Sequence, residues 1–297
     1  MLIERVSLNG FDYKQINTEY QFKPGMNYII GSKASGKTIL AYSIVSWASA
    51  GTWFEQLMGI RSGPGFKHKY HNFHPHQEPI ISIDFQINQG KNSITKKFNE
   101  EGAECKFYEI DNSGEKVLID DSRIYLIKKY SNKILYLTRY DIESFDPRTD
   151  GLIQFLTKYD FDEDILNPEF ISLLNKLLQQ YSSGSYWSRH HIYLGGNGEV
   201  VSRNNQGETA GLGMPSGEKV KLGILSIVAS LMIKNDKTIL IADDIFTGLD
   251  NVAHASMIEC LKENLDNQVI LTMYQHETHN IGNLEGHIIN LERPSYD

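Results

Sequence analysis

A chain of 297 residues, 40% hydrophobic and 22% charged, is long enough to bury one large core or two small ones and has the composition of a globular protein. Its net charge of −8 argues against a broad nucleic-acid-coating surface while leaving room for a local basic patch. Two distant cysteines, Cys105 and Cys260, lack zinc-ligand spacing; with no signal-peptide core and no long apolar run, the sequence predicts a soluble, cytoplasmic protein that makes no membrane contact.

Residues 1–30 alternate polar and apolar in strand fashion and break at the Pro24-Gly25 turn. Asn27-Tyr28-Ile29-Ile30 reads as a short buried strand that runs into Gly31-Ser32-Lys33-Ala34-Ser35-Gly36-Lys37-Thr38, a match to G-x-x-x-x-G-K-[ST]. In such a loop the glycines let successive N–H groups converge on a polyphosphate. Lys37 reaches the β- and γ-phosphates, and the Thr38 hydroxyl holds Mg²⁺. Strand, loop and helix in succession put the anion at a helix N-terminus, where the dipole and unpaired N–H groups favour it. The bland alternative is an ordinary glycine turn before a helix.

That helix is predicted over 38–58. A Gly/Pro/His-rich connection over 61–78 carries His68, His71, His74 and His76 among basic and aromatic residues. Pro75 breaks any helical register and no cysteine helps, so a solvent loop or partner-docking element is preferred to zinc, with a nucleic-acid backbone contact as a further option. Period-two segments at 80–87, 93–98 and 105–110 predict an antiparallel meander exposed on one face. A buried strand at 133–138, two short helices within 150–182 and a strand pair around 195–198 follow, with His190-His191 in a strand pattern. The last third runs helix 217–234, strand 238–242, helix 252–265, strand 268–273 and strand 286–291, which is α/β with a buried parallel sheet.

Thr238-Ile239-Leu240-Ile241-Ala242-Asp243-Asp244 is an apolar strand that delivers two carboxylates at its end. Opposite a phosphate loop, Asp243 suits holding Mg²⁺ through water and Asp244 suits orienting an attacking water. Without such a loop it would be a strand running into a polar turn. Just upstream, Met214-Pro215-Ser216-Gly217-Glu218-Lys219-Val220-Lys221-Leu222 opens a helix with its start signals in place.

Here the chain resembles the ABC-type ATPase superfamily. Ser216-Gly217-Glu218-Lys219 looks like the signature motif in the form common to chromosome-associated members, and Ile245-Phe246-Thr247-Gly248-Leu249-Asp250 resembles the D-loop. Phosphate loop, signature, acidic strand and D-loop occur in the family's order. Ile3-Glu4-Arg5-Val6 and the run from Phe22 through Pro24-Gly25-Met26-Asn27 to Gly31 look like the opening of the SMC/RecF group. The 180 positions from Lys37 to Gly217 exceed what a transporter subunit uses and hold no heptad repeat. The chain therefore looks like a compact head without coiled-coil arms, similar to RecF and to small ATPases of bacterial anti-phage systems.

The resemblance implies an α/β ABC-ATPase head of P-loop NTPase type, with a mixed or parallel core sheet, an N-terminal antiparallel β meander and a helical signature subdomain. It implies one domain over 1–297 with two lobes: 1–145 plus 236–297 as the nucleotide-binding core, and 146–235 as the signature lobe. ATP and Mg²⁺ are the implied cofactors. A homodimer would sandwich ATP, each phosphate loop facing the other chain's Ser216, Gly217, Glu218 and Asp250. The output would pass to a nuclease or other protein effector, or to DNA, in genome defence or DNA repair.

Three departures bear on the chemistry. Pro215 stands where the signature's phosphate-contacting Ser sits, with Ser216 one place later. Asp244 replaces the catalytic Glu and is one methylene shorter, which predicts slow turnover. The switch His falls at His276, two places late, with Tyr274 in its usual position. No glutamine clearly marks the family's Q-loop, for which a position near Thr138 and Arg139 is the guess, and Tyr13 or Tyr20 is a candidate for stacking on adenine. The nucleotide-binding subunit of a membrane transporter is the alternative reading. A P-loop kinase or G protein would need a lid or an Asn-Lys-x-Asp run, and neither is present.

Overall fold

A computed structural model describes residues 1–11, 16–33, 35–45, 80–87, 90–99, 102–119, 134–145, 151–182, 186–195, 200–204, 207–210, 214–235, 238–278 and 284–291. Strands β1 (Leu2–Phe11) and β2 (Ile16–Gln21) form a hairpin, β3 (Met26–Gly31) leads into helix α1 (Lys37–Val45), and β4 (Ile80–Ile87), β5 (Gly90–Asn99), β6 (Gly102–Ile110) and β7 (Lys116–Leu118) follow. Next come β8 (Ile134–Thr138), α2 (Arg139–Ser144), α3 (Gly151–Thr157) and α4 (Pro168–Tyr181), then β9 (His191–Leu194), β10 (Val200–Asn204) and β11 (Gly207–Ala210). The long helix α5 (Ser216–Lys234) precedes β12 (Ile239–Asp243), α6 (Asn251–Asn264), β13 (Val269–Tyr274), α7 (Gln275–Thr278) and β14 (His287–Leu291).

Runs with no polar face must be covered on both sides, and most of the strands that read this way build one sheet. It has the order β14-β3-β13-β12-β8, and every neighbouring pair in it is parallel. The core sheet is thus parallel rather than mixed. Alternate residues divide between two cores, as the period of two requires. Tyr28, Ile30, Leu137, Leu240 and Leu271 pack with α4, α5 and α6 in one cluster. Ile29, Tyr136, Ile241, Ile270 and Ile289 face α1 and the antiparallel sheet in the other.

The predicted meander is present and larger than expected. β1 pairs with β4 as well as β2, so the N-terminal hairpin extends the meander to a six-stranded antiparallel sheet, β2-β1-β4-β5-β6-β7. Buried Gln268 fastens the two sheets: its Nε2 donates to Ile3 O at 2.8 Å and Lys23 O at 3.0 Å, and its Oε1 accepts from Ile3 N at 2.8 Å. Buried Asn27 holds the Pro24-Gly25 turn by accepting from Lys23 N (2.8 Å) and donating to Lys23 O (2.7 Å) and Gly25 O (3.0 Å).

The strand pair expected near 195–198 gains a third member, giving the small sheet β11-β10-β9. Helix α2 was not anticipated. The predicted first helix is described only to Val45; its remainder and the loop with His68, His71, His74 and His76 lie outside the described residues. Among the described residues no helix is long and apolar enough to cross a membrane.

Candidate functional site

The candidate phosphate loop, residues 31–38, leaves β3 inside the parallel sheet, with β13 on one side and the edge strand β14 on the other. Gly31 pairs with Tyr274 and with Leu291, so the loop begins walled in by backbone. A Cβ on Gly31 would stand 2.3 Å from Ser35 Oγ and 2.8 Å from Leu291 O, which no side chain tolerates. Gly36 takes φ 95°, a left-handed turn that feeds the chain into α1. Ala34 lies outside the described residues, and Lys33 is exposed at the loop's edge.

Lys37 is buried, and its Nζ donates to Gly31 O at 2.9 Å and Ser32 O at 2.8 Å, curling over the loop's own carbonyls. The ammonium also sits 4.1 Å from the Tyr274 ring centroid. Burial draws its pKa below the ordinary lysine range, against the pull of Asp244, Asp243 and Glu277. The Ser32 and Ser35 hydroxyls are buried without a hydrogen-bond partner. Unpaired buried donors around an ammonium are a cradle for a multiply charged anion.

Asp243 ends β12 on the α1 side of the sheet. Thr272 donates to its Oδ1 at 2.6 Å, Thr38 approaches the same oxygen at 3.4 Å, and Tyr136 donates to Oδ2 at 3.3 Å. Burial pushes the Asp243 carboxyl above the usual carboxylate range, with the Thr272 and Thr38 hydroxyls opposing. A buried carboxylate beside a threonine hydroxyl is an oxygen donor set that suits a hard cation such as Mg²⁺. The residues therefore fit the metal that the loop motif implies. Thr272 and Tyr136 were not foreseen as site residues.

Asp244 adopts φ 56°, a left-handed conformation rare outside glycine, which turns it away from the strand. Its backbone N–H donates to Thr272 Oγ1 at 2.9 Å, and its Oδ1 accepts from Thr247 Oγ1 at 2.7 Å. Its Oδ2 faces Arg139 NH1 at 3.9 Å. Thr272 thus joins the Asp243 carboxylate to the Asp244 backbone amide. His276 begins no strand but lies in α7, stacked on Tyr274 with ring centroids 5.6 Å apart. The two, with Ser32, Lys33 and Gln275, line a cavity of about 580 Å³ at the mouth of the loop.

The signature residues are elsewhere. Ser216 and Gly217 open α5, with Gly217 against the D-loop: its added Cβ would lie 3.5 Å from Gly248 O and 3.8 Å from Leu249 Cδ2. Glu218 turns inward. Its Oε1 accepts from Lys221 Nζ at 2.9 Å, its carbonyl accepts from Trp187 Nε1 at 3.0 Å, and its Oε2 is buried without a partner. Asp250 caps α6 by accepting from Ala253 N at 2.8 Å. No hydrogen bond or ion pair of the described residues joins Ser216, Gly217, Glu218 or Asp250 to the phosphate loop. Of the other candidates, His190 stacks on Tyr186 at 3.9 Å and Tyr20 sits opposite Val6 in the β1–β2 ladder, while Tyr13 lies outside the described residues.

No protein-family model matches the chain, and no curated protein matches it. Solved structures do. The SMC head domain from Thermotoga maritima is 17% identical with a TM-score of 0.59, covering 98% of this chain and 94% of its own. An Smc head bound to the C-terminal winged-helix domain of ScpA is 16% identical with a TM-score of 0.66, over 98% and 94% of the two chains. An Smc head with an extended coiled coil, bound to the C-terminal domain of ScpA from Pyrococcus furiosus, is 14% identical with a TM-score of 0.62, over 97% and 93%. The chain has an SMC-head-like α/β fold.

Proposed function

We propose that this chain binds ATP with Mg²⁺ at residues 31–38, hydrolyses it slowly, and works as an ATP-switched head in which two copies close around the nucleotide. The observation that carries this is the meeting of Lys37, Thr38 and Asp243 under two unpaired serine hydroxyls, at the end of β3 in an SMC-head-like fold. Bound Mg²⁺, held by Thr38 and Asp243, would neutralise charge on the phosphates.

Each residue then has a task. Lys37 leaves the carbonyls of Gly31 and Ser32 for phosphate oxygens, exchanging neutral acceptors for charged ones. Asp244 orients the attacking water and accepts its proton. Its short side chain is already engaged by Thr247 and opposed by Arg139, which supports slow turnover. His276 stands at the cavity mouth, beside the Tyr274 ring that covers Lys37.

Because no hydrogen bond or ion pair of the described residues joins Ser216, Gly217 or Asp250 to their own loop, the partner for each loop is the α5 start of a second copy. The α5 N-terminus offers backbone N–H groups and a favourable dipole. Such pairing is a ligand-driven shift of population, closed with ATP and looser after hydrolysis. Two of the similar heads are complexes with a ScpA domain, which supports a protein partner as the recipient of the switch. A nuclease or other effector, or DNA, in bacterial genome defence or DNA repair, is the setting we favour.

The experiment is to measure the solution mass of Asp244→Asn with and without ATP and Mg²⁺. Doubling of the mass with nucleotide, abolished by adding Lys37→Ala, is the expected result. A mass that nucleotide leaves unchanged contradicts the paired head.

A further inference from the structure

Helix α5 starts without a side-chain cap. Its N-cap residue is Pro215, which makes no side-chain hydrogen bond to the first turn, although most of the helix beyond it is buried. Helix ends fray unless something holds them, and here the hold comes from the side. Trp187, in the 3₁₀ turn Tyr186–Ser188 between α4 and β9, donates from its indole Nε1 to Glu218 O at 3.0 Å. Lys221 Nζ donates to Glu218 Oε1 at 2.9 Å and keeps that side chain turned inward. Trp187 is 0% exposed, and Glu218 and Lys221 are buried beside it.

Trp187 is itself anchored. Its ring meets Tyr186 edge-on with centroids 5.0 Å apart, and Tyr186 stacks on His190 at 3.9 Å. The Tyr186 hydroxyl lies 2.8 Å from the hydroxyl of Ser202, a buried residue of β10. The small sheet β11-β10-β9 therefore backs the turn that grips α5. A capping Ser or Asp would hold the first helical turn by accepting from its N–H groups. Trp187 grips a carbonyl instead, so it fixes the turn without drawing on those donors. Gly217 in the same turn packs against the D-loop, where an added Cβ would lie 3.5 Å from Gly248 O, so a shift of the turn is felt there as well.

We propose that Trp187 is a positioning residue for the pairing of two copies: by holding Glu218 through its carbonyl, it presents the start of α5 to the second copy in one ordered conformation. This rests on reading two copies as closing around ATP. A start left to fray must be ordered when the second copy docks, and that ordering subtracts from the affinity of pairing. Glu218, expected from its motif to touch nucleotide, is the handle by which the turn is held. If Trp187 only fills the core, its loss lowers stability and leaves pairing as it is.

The test compares two variants in the full chain carrying Asp244→Asn. Trp187→Phe keeps an aromatic ring and loses the N–H; Phe107→Leu trims a buried ring in the other core cluster, away from α5. Two quantities are read with Mg²⁺: the affinity for a fluorescent ATP analogue in dilute protein, and the protein concentration at which ATP brings half the chains into pairs. Trp187→Phe is expected to raise the half-pairing concentration about tenfold, the scale of one hydrogen bond at each of the two α5 starts, and to change ATP-analogue affinity less than about twofold. Near-native analogue binding also reports an intact fold. Phe107→Leu should leave both quantities unchanged. A half-pairing concentration that Trp187→Phe does not raise, a rise that Phe107→Leu matches, or a loss of analogue affinity in step with pairing overturns the proposal and leaves the paired head in place. An Asp244→Asn protein that ATP does not pair overturns that reading and this proposal together.

Discussion

Thr272→Val removes one hydroxyl and keeps the side chain's shape, and the consequences fall on the Asp243 carboxylate and the Asp244 backbone amide. The hydroxyl donates to Asp243 Oδ1 at 2.6 Å and accepts from Asp244 N at 2.9 Å. Thr272 is buried, at 2% exposure, and so is Asp243 at 7%, so water does not readily replace what is lost. A hydrogen bond to a charged group contributes about 1.5–3 kcal/mol, and a buried N–H left without an acceptor costs about 1–3 kcal/mol. With some relaxation a loss of about 3 kcal/mol follows. The unfolding entropy of a chain of 297 residues is about 0.6 kcal/mol/K, so Tm should fall by about 5 °C. Thermal unfolding of Thr272→Val beside Thr272→Ser, which restores the hydroxyl, is the assay. Thr272→Ser should recover most of the loss. Equal Tm values for the valine variant and the unaltered protein would show that Thr272 does not join the Asp243 carboxylate to the Asp244 amide, and the reasoning about Asp243 would fail with it.

Gly31→Ala places a methyl against Ser35 Oγ and Leu291 O, and because Leu291 belongs to β14 the backbone must part to admit it. A loss of about 2 kcal/mol by thermal unfolding, with nucleotide binding abolished, is expected; normal binding by this variant would refute the tight cradle. His254 is buried beside Phe246, and burial brings its pKa from 6.5 down to about 4. Its neutral form is the one that folds, so stability is fully present above pH 6.5 and declines as the pH falls towards 4. Between about pH 7.5 and 5 that residue accounts for about 2 kcal/mol. In urea denaturation at the two pH values, His254→Leu should lose less stability than the unaltered protein by this amount; identical acid sensitivity would contradict the assignment.

The sequence exposed the parts of the fold whose cause is local. The phosphate loop and its strand are legible because Gly31 and Gly36 serve a steric need that only glycine meets. The Pro24-Gly25 turn is legible too, although the reason for Asn27 two residues later, three hydrogen bonds back into the turn, emerges only in the structure. Apolar runs at β12 and β13 announce a parallel sheet covered on both faces. The features that were missed depend on which strands lie side by side. Tyr136 and Thr272 read as ordinary strand formers until the registers Thr138 to Asp243 and Asp243 to Thr272 bring their hydroxyls to one carboxylate. Helix α2 spans six residues, too short for a 3.6-residue period to register, and its capping box closes with Asp141 rather than Glu or Gln. Asp250 was read as a nucleotide ligand from its motif; as the cap of α6 it has a structural task that the motif alone does not reveal.

The central claim is that residues 31–38, with Lys37 at their heart, bind ATP. Its most direct test is an equilibrium binding isotherm of ATP with Mg²⁺ on the unaltered chain and on Lys37→Ala. Saturable binding of one ATP per chain is predicted, weakened at least about tenfold by the substitution, since one charged contact to the phosphates is lost. Equal affinity in the two proteins, or no binding by either, would contradict it.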